Sequence, residues 1–107
     1  TLEYINANLT KDISVQDIAD AQNVSHSYLS HAFKKSTGYG LWNYVITKRL
    51  VYAQKLLWGG SSVTEACYES GFRDYAHFIK SFTKTFGCSP KQCKKEDSDV
   101  YMMKLNL

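Results

Sequence analysis

Two stretches decide the fold: residues 14–38, SVQDIADAQNVSHSYLSHAFKKSTG, and residues 62–87, SVTEACYESGFRDYAHFIKSFTKTFG. They are two copies of one pattern. Ser14-Val15-Gln16-Asp17-Ile18-Ala19 matches Ser62-Val63-Thr64-Glu65-Ala66-Cys67 at an offset of 48. Each opens with a Ser and carries an acid three residues on. That is the capping box, in which the hydroxyl accepts from the third N–H and the carboxylate reaches back. Small apolar residues follow, which let a second helix cross closely. Nine residues after each Ser stands a residue suited to positive φ, Asn23 in one copy and Gly71 in the other. Each can end a helix and begin a sharp turn. A second cap follows, Ser25 and then Asp74, where the offset becomes 49. Beyond the caps, Leu29 and Phe33 in one copy and Phe78 and Phe82 in the other form one buried stripe at helical spacing. Gly38 and Gly87 end these helices. The economical reading is two helix-turn-helix units.

Between them, Leu41 to Leu57 is periodic for helix, with Trp42, Val45, Ile46, Leu50, Ala53 and Leu57 on or near one face. Gly40 precedes this run and Gly59-Gly60 stops it. At 1.5 Å per residue the connector spans roughly 26 Å. A short opening helix carrying Leu2, Ile5 and Leu9 is expected to pack on the first unit. Ser89-Pro90 reads as the cap and first residue of a closing helix through about Lys94. The expected fold is therefore all-α, with about seven helices. One domain divides into a first unit (1–40), a linker helix (41–58) and a second unit (59–95). A tail (96–107) receives no structural reading.

The 107 residues suffice for one domain, and 44% hydrophobic content with fifteen aromatic residues suffices for a core. One proline and six glycines leave little for a sandwich or barrel full of tight turns. The net charge is only +3, but from Lys34 to Lys95 eleven basic residues face three acidic ones. Such a bias suits a polyanion, although basic solvated faces are common. Cys67, Cys88 and Cys93 are an odd set without C-x-x-C spacing. Cys67 falls in an apolar run, so a reducing, cytoplasmic setting without disulfides is expected. No apolar run approaches a membrane span, and no signal peptide opens the chain.

Taken together, these residues resemble the DNA-binding domain of the AraC/XylS family of bacterial transcription regulators, over roughly Tyr4 to Lys94. The ordered set that carries the likeness is Arg49-Leu50, Ala53, Leu56-Leu57, Ser62-Val63, Gly71-Phe72, Asp74, Phe78, Phe82, Gly87 and Ser89-Pro90. Two features depart from the family pattern. Cys93-Lys94 stand where Tyr-Arg is usual, which exchanges a bidentate guanidinium for a point charge. The first reader offers only short side chains and a histidine. The resemblance implies sequence-specific binding of double-stranded DNA, with two recognition helices in successive major-groove segments. It also implies RNA polymerase as a further partner, and in many members a sensing or dimerisation domain N-terminal to Thr1. Some members consist of little more than this domain.

In a helix-turn-helix the outward residues near the start of the second helix reach base edges. With Leu29 and Phe33 inward, the first reader turns His26, Ser27, Ser30, His31 and Lys34 outward. The second turns out Tyr75, Ala76, Ile79, Lys80 and Thr83. The resemblance places Ser27, Ser30, His31, Tyr75, Ala76, Ile79 and Lys80 at base-facing positions. Lys80 can donate to guanine O6 and N7, and Ala76 or Ile79 can touch a thymine methyl. Lys34, Lys35, Lys84, Lys91 and Lys94 are phosphate-contact candidates, each weighed against a plain solvated face. Tyr28 and His77 read as packing residues, Trp42 and Trp58 as connector core or cap. Arg49 reads as half of a buried ion pair with Glu65 or Glu69 in preference to a DNA contact.

Two rival functions compete. Catalysis finds no nucleophile-base pattern, Gly-rich phosphate loop or framed carboxylate pair, and the His and Cys residues lack metal-ligand spacing, so neither metal nor cofactor is expected. A helical protein adaptor finds its counterargument in the basic centre and the polar outward faces. Double-stranded RNA is disfavoured because its deep, narrow major groove excludes a reading helix.

Overall fold

The computed structural model describes residues 2–92. Among these the chain forms six helices and no strand: α1 (Leu2–Asn8), α2 (Val15–Ala21), α3 (His26–Thr37), α4 (Leu41–Trp58), α5 (Val63–Glu69) and α6 (Tyr75–Phe86). They gather into two compact units that part between Thr47 and Lys48, within α4.

In the first unit α1 packs on α2, and α2 on α3. Ser14 caps α2. Its Oγ accepts from the Asp17 N–H at 3.1 Å while Asp17 Oδ2 accepts from the Ser14 N–H at 2.9 Å. Asn23, at φ 58°, turns the chain, and Ser25 starts α3 by accepting from the Tyr28 N–H. Gly38 ends α3 in the left-handed region at φ 83° and donates to Lys34 O at 2.8 Å. The apolar stripe then closes the core. Ile5, Ile13, Ile18, Ala19, Leu29, Phe33, Leu41 and Val45 are buried together, with Tyr44 edge-on to Phe33 at 5.5 Å between ring centroids.

The second unit repeats these devices. Ser62 and Glu65 form the reciprocal box at 3.1 and 3.0 Å, Gly71 turns at φ 106°, and Asp74 caps α6 through the His77 N–H. Gly87, at φ 79°, donates to Thr83 O. Its core is more aromatic. Phe72, Phe78, Phe82 and Phe86 form a run of tilted ring pairs with centroids 5.1, 5.8 and 4.5 Å apart. All four are buried, and each such side chain contributes about 1.5–3 kcal/mol of hydrophobic stabilisation.

Three expectations are corrected or cut short. The closing helix is described only at its start, where Pro90–Gln92 form a turn and the Gln92 N–H donates to Ser89 O at 3.0 Å. Its continuation through Lys94 lies outside the described residues, as does the tail. Leu2 is 46% exposed, so α1 anchors on its unit through Ile5 and Tyr4, and Leu9 packs just past the helix end. Cys88 is disulfide-bonded, against the expectation of a chain without disulfides. Cysteine count and metal-like spacing do not test whether two thiols meet in a fold. Cys67 is buried and free, and burial, with the Asp74 charge adding to it, pushes its thiol pKa up.

Candidate nucleic-acid interface

The two candidate surfaces are the outward faces of α3 and α6, one in each unit. On α3, Leu29 and Phe33 fix which side is inward, and Ser27, His31, Lys34 and Lys35 stand exposed while Ser30 is half-buried. On α6, Phe78, Phe82 and Phe86 take the inward side. Ala76, Lys80 and Lys84 are exposed, Tyr75 is 39% exposed, and Ile79 is half-buried. Lys91, in the turn after α6, is also exposed. Lys94 lies outside the described residues.

Helix registry makes these faces correspond. Both caps sit at the same place relative to their helices, so Ser27, Ser30 and His31 share helical positions with Ala76, Ile79 and Lys80. The first turn of each helix keeps N–H groups without an intrahelical acceptor, a partial positive charge suited to a phosphate oxygen. Basic residues lie in the last turns, Lys34 and Lys35 on α3 and Lys84 on α6. Each surface thus carries a polar or apolar centre with ammonium groups toward the helix C-terminus.

Several neighbours are sorted by the structure. Arg49 is only 5% exposed, so its guanidinium is withdrawn from any open face. His77 is exposed, yet its ring lies 5.9 Å from Phe72 and packs against it. The Thr83 hydroxyl turns back to donate to Ile79 O at 2.8 Å, which commits its proton within the helix. Tyr28 is a correction, because at 64% exposure it does not pack as expected. It sits 100° around the helix from Leu29, and only a narrow arc of α3 is covered. Trp42, at 36% exposure, is likewise at the surface and not in the connector core. The exposure of Tyr28 is the feature that the periodicity missed. A wheel centred midway between Leu29 and Phe33 signals it.

No group of His, Cys, Asp or Glu among the described residues is arranged to hold a metal ion, and no described helix is long and apolar enough to cross a membrane.

Comparison with known proteins agrees with this geometry. The profile of a family described as "Helix-turn-helix domain" matches residues 6–96. An uncharacterised HTH-type transcriptional regulator of Pseudoalteromonas carrageenovora is 38% identical over 92 residues, which are 86% of this chain and 55% of that protein. The chain spans about a third of the length of several other relatives. Among solved structures, the C-terminal domain of the response regulator yesN from Fusobacterium nucleatum superposes with a TM-score of 0.81 at 29% identity, covering 85% of this chain and 90% of that one. An AraC-type transcriptional regulator from Chromobacterium violaceum superposes at 0.77 with 26% identity, covering 94% and 87%. The chain belongs to the AraC-type helix-turn-helix family of DNA-binding domains.

Proposed function

We propose that this chain is the DNA-reading part of a bacterial transcription regulator, and that α3 and α6 enter successive segments of the major groove of one duplex. The observation that carries the reading is the repeated surface. Two capped helices of equal length turn the same helical positions outward, and ammonium groups lie toward the C-terminus of both.

Base selection falls to Ser27, Ser30 and His31 on α3 and to Tyr75, Ala76, Ile79 and Lys80 on α6. Lys80 donates to a guanine edge, and Ala76 with the exposed part of Ile79 meets a thymine methyl. His31 donates or accepts according to its tautomer. Lys34, Lys35, Lys84, Lys91 and Lys94 hold phosphates and set the register without carrying sequence information. The division is residues 1–40 and 59–95 as the two reading units, 41–58 as their connector, and 96–107 as a tail. The setting is the bacterial cytoplasm, with no catalytic step. RNA polymerase is the further partner, and sensing or dimerisation belongs to chain outside this domain.

Selection from randomised duplexes followed by footprinting tests the proposal. One chain should protect a single asymmetric site on the order of 20 base pairs, two groove segments about 34 Å apart. Protection of one short half-site, with the other unit idle, contradicts it.

A further inference from the structure

We propose that the first unit holds a binding site for a small aromatic cation, in a groove along the flank of α3 away from its reading face. The groove is open to solvent on one side and has a volume of about 650 Å³, within the range of small-molecule sites. Leu2, Val24, Phe33 and Thr37 line it with Tyr28 and Glu3. Leu2 and Tyr28, both large and exposed, form accessible walls.

The second unit shows what such a groove accepts. Val24 and Phe72 occupy equivalent positions, since each donates its N–H to the residue five back, Ala19 O and Cys67 O. Thr37 and Phe86 are equivalent as well, each immediately before the left-handed glycine that ends its helix. In the second unit both positions are phenylalanines, and the aromatic run leaves them buried. In the first unit a valine and a threonine stand there, half-buried and exposed. The same backbone thus carries two fewer rings in the first unit, at two of the positions that line the groove. A void lined by apolar atoms forfeits the dispersion contacts that a ring would restore.

Charge narrows the class of ligand. Glu3 is the charged residue on the lining, and a ring beside Tyr28 and Phe33 leaves its cationic head near that carboxylate. The aromatic faces favour the same sign. An anionic head meets no positive charge on the lining and is repelled by the Glu3 carboxylate. Ser27, Ser30 and His31 are not among the residues that line the groove.

Amide spectra of the whole chain, titrated with phenethylammonium, test the site. Saturable shifts are expected at Val24, Leu29, Ala32 and Thr37. Butylammonium, which keeps the charge and lacks the ring, should bind about tenfold more weakly or worse, and so should phenylpropionate, which reverses the charge. Val24→Phe supplies the ring found at Phe72 and should abolish the titration. Ala32→Leu fills the groove from α3 and should do the same if the first variant folds poorly. Absence of saturable shifts overturns the proposal. So does unchanged affinity in a folded filled variant, which places the ligand elsewhere. Equal binding of phenylpropionate overturns the assignment of a cation.

Discussion

Val24 and Phe72 close their turns with the same bond: the Val24 N–H donates to Ala19 O at 3.1 Å, and the Phe72 N–H to Cys67 O at 3.2 Å. Each follows a residue at positive φ, Asn23 at 58° and Gly71 at 106°. This turn fixes the direction in which each reading helix leaves its partner. At Gly71 a side chain meets a conformation that L residues adopt with difficulty, so Gly71→Ala should lose about 1–2 kcal/mol of stability. Asn23→Gly should change stability by no more than about 1 kcal/mol, because glycine accepts the same φ at a modest entropic cost. Denaturant unfolding of both variants checks the pair. An unaltered Gly71→Ala midpoint contradicts the shared turn.

The caps carry a pH signature. The Ser62 N–H, and after it the Ser62 hydroxyl, hold the Glu65 carboxyl below the usual carboxylate range. A group whose folded pKa is lowered adds stability above its unfolded pKa, and that stability is lost as pH falls through the folded one. The advantage of the parent over Glu65→Gln should therefore be full at neutral pH and shrink on acidification below the ordinary glutamate range. Ser62→Ala should cost about 1 kcal/mol at neutral pH. Thermal unfolding from neutral to strongly acidic pH measures both. A parent advantage that grows with acid contradicts the box.

These caps and turns were legible in the sequence because they are local. Ser14 and Asp17, or Ser62 and Glu65, are three residues apart and need no tertiary partner to find each other. Gly38 and Gly87 announce left-handed helix ends for the same reason. The reading faces followed from one more step, the inward stripe of Leu29 and Phe33 and of Phe78 and Phe82. Tyr28 and Trp42 were misplaced because their burial depends on what another element covers. Leu2 reaches the surface on α1, and Val24 and Thr37 leave unfilled the space that Phe72 and Phe86 occupy in the other copy. Side-chain volume across elements, not periodicity along one, decides that groove. The Cys88 disulfide is a pairing that the cysteine count and spacing did not announce.

Salt tests the gripping half of the interface. Lys34, Lys35, Lys84 and Lys91 are exposed, and Lys94 completes the five proposed for phosphate, a set that one or two further basic residues can extend. Neutralising about five to seven phosphates releases their counterions, so log K should fall against log salt with a slope of roughly −4.5 to −6.3. A filter-binding series over several salt concentrations gives the slope. A value near zero contradicts DNA binding and favours the adaptor.

The most direct test separates reading from gripping. Lys80 is exposed one turn into α6, on the side opposite buried Phe78 and Phe82, whereas Lys91 follows the helix. Loss of a base contact costs about 1–3 kcal/mol on the cognate site and flattens preference at one position. Loss of a phosphate contact weakens all sequences alike and makes the salt slope shallower by about one unit. Phe82→Ala serves as the folding control, with an expected cost of about 3–5 kcal/mol for a buried aromatic. The measurement is the affinity of Lys80→Ala and Lys91→Ala for the selected duplex and for one with a single guanine changed. The predicted result is that Lys80→Ala no longer distinguishes the two duplexes, while Lys91→Ala binds both more weakly by the same factor. Equal weakening of both duplexes by Lys80→Ala would contradict the assignment and make Lys80 one more backbone clamp.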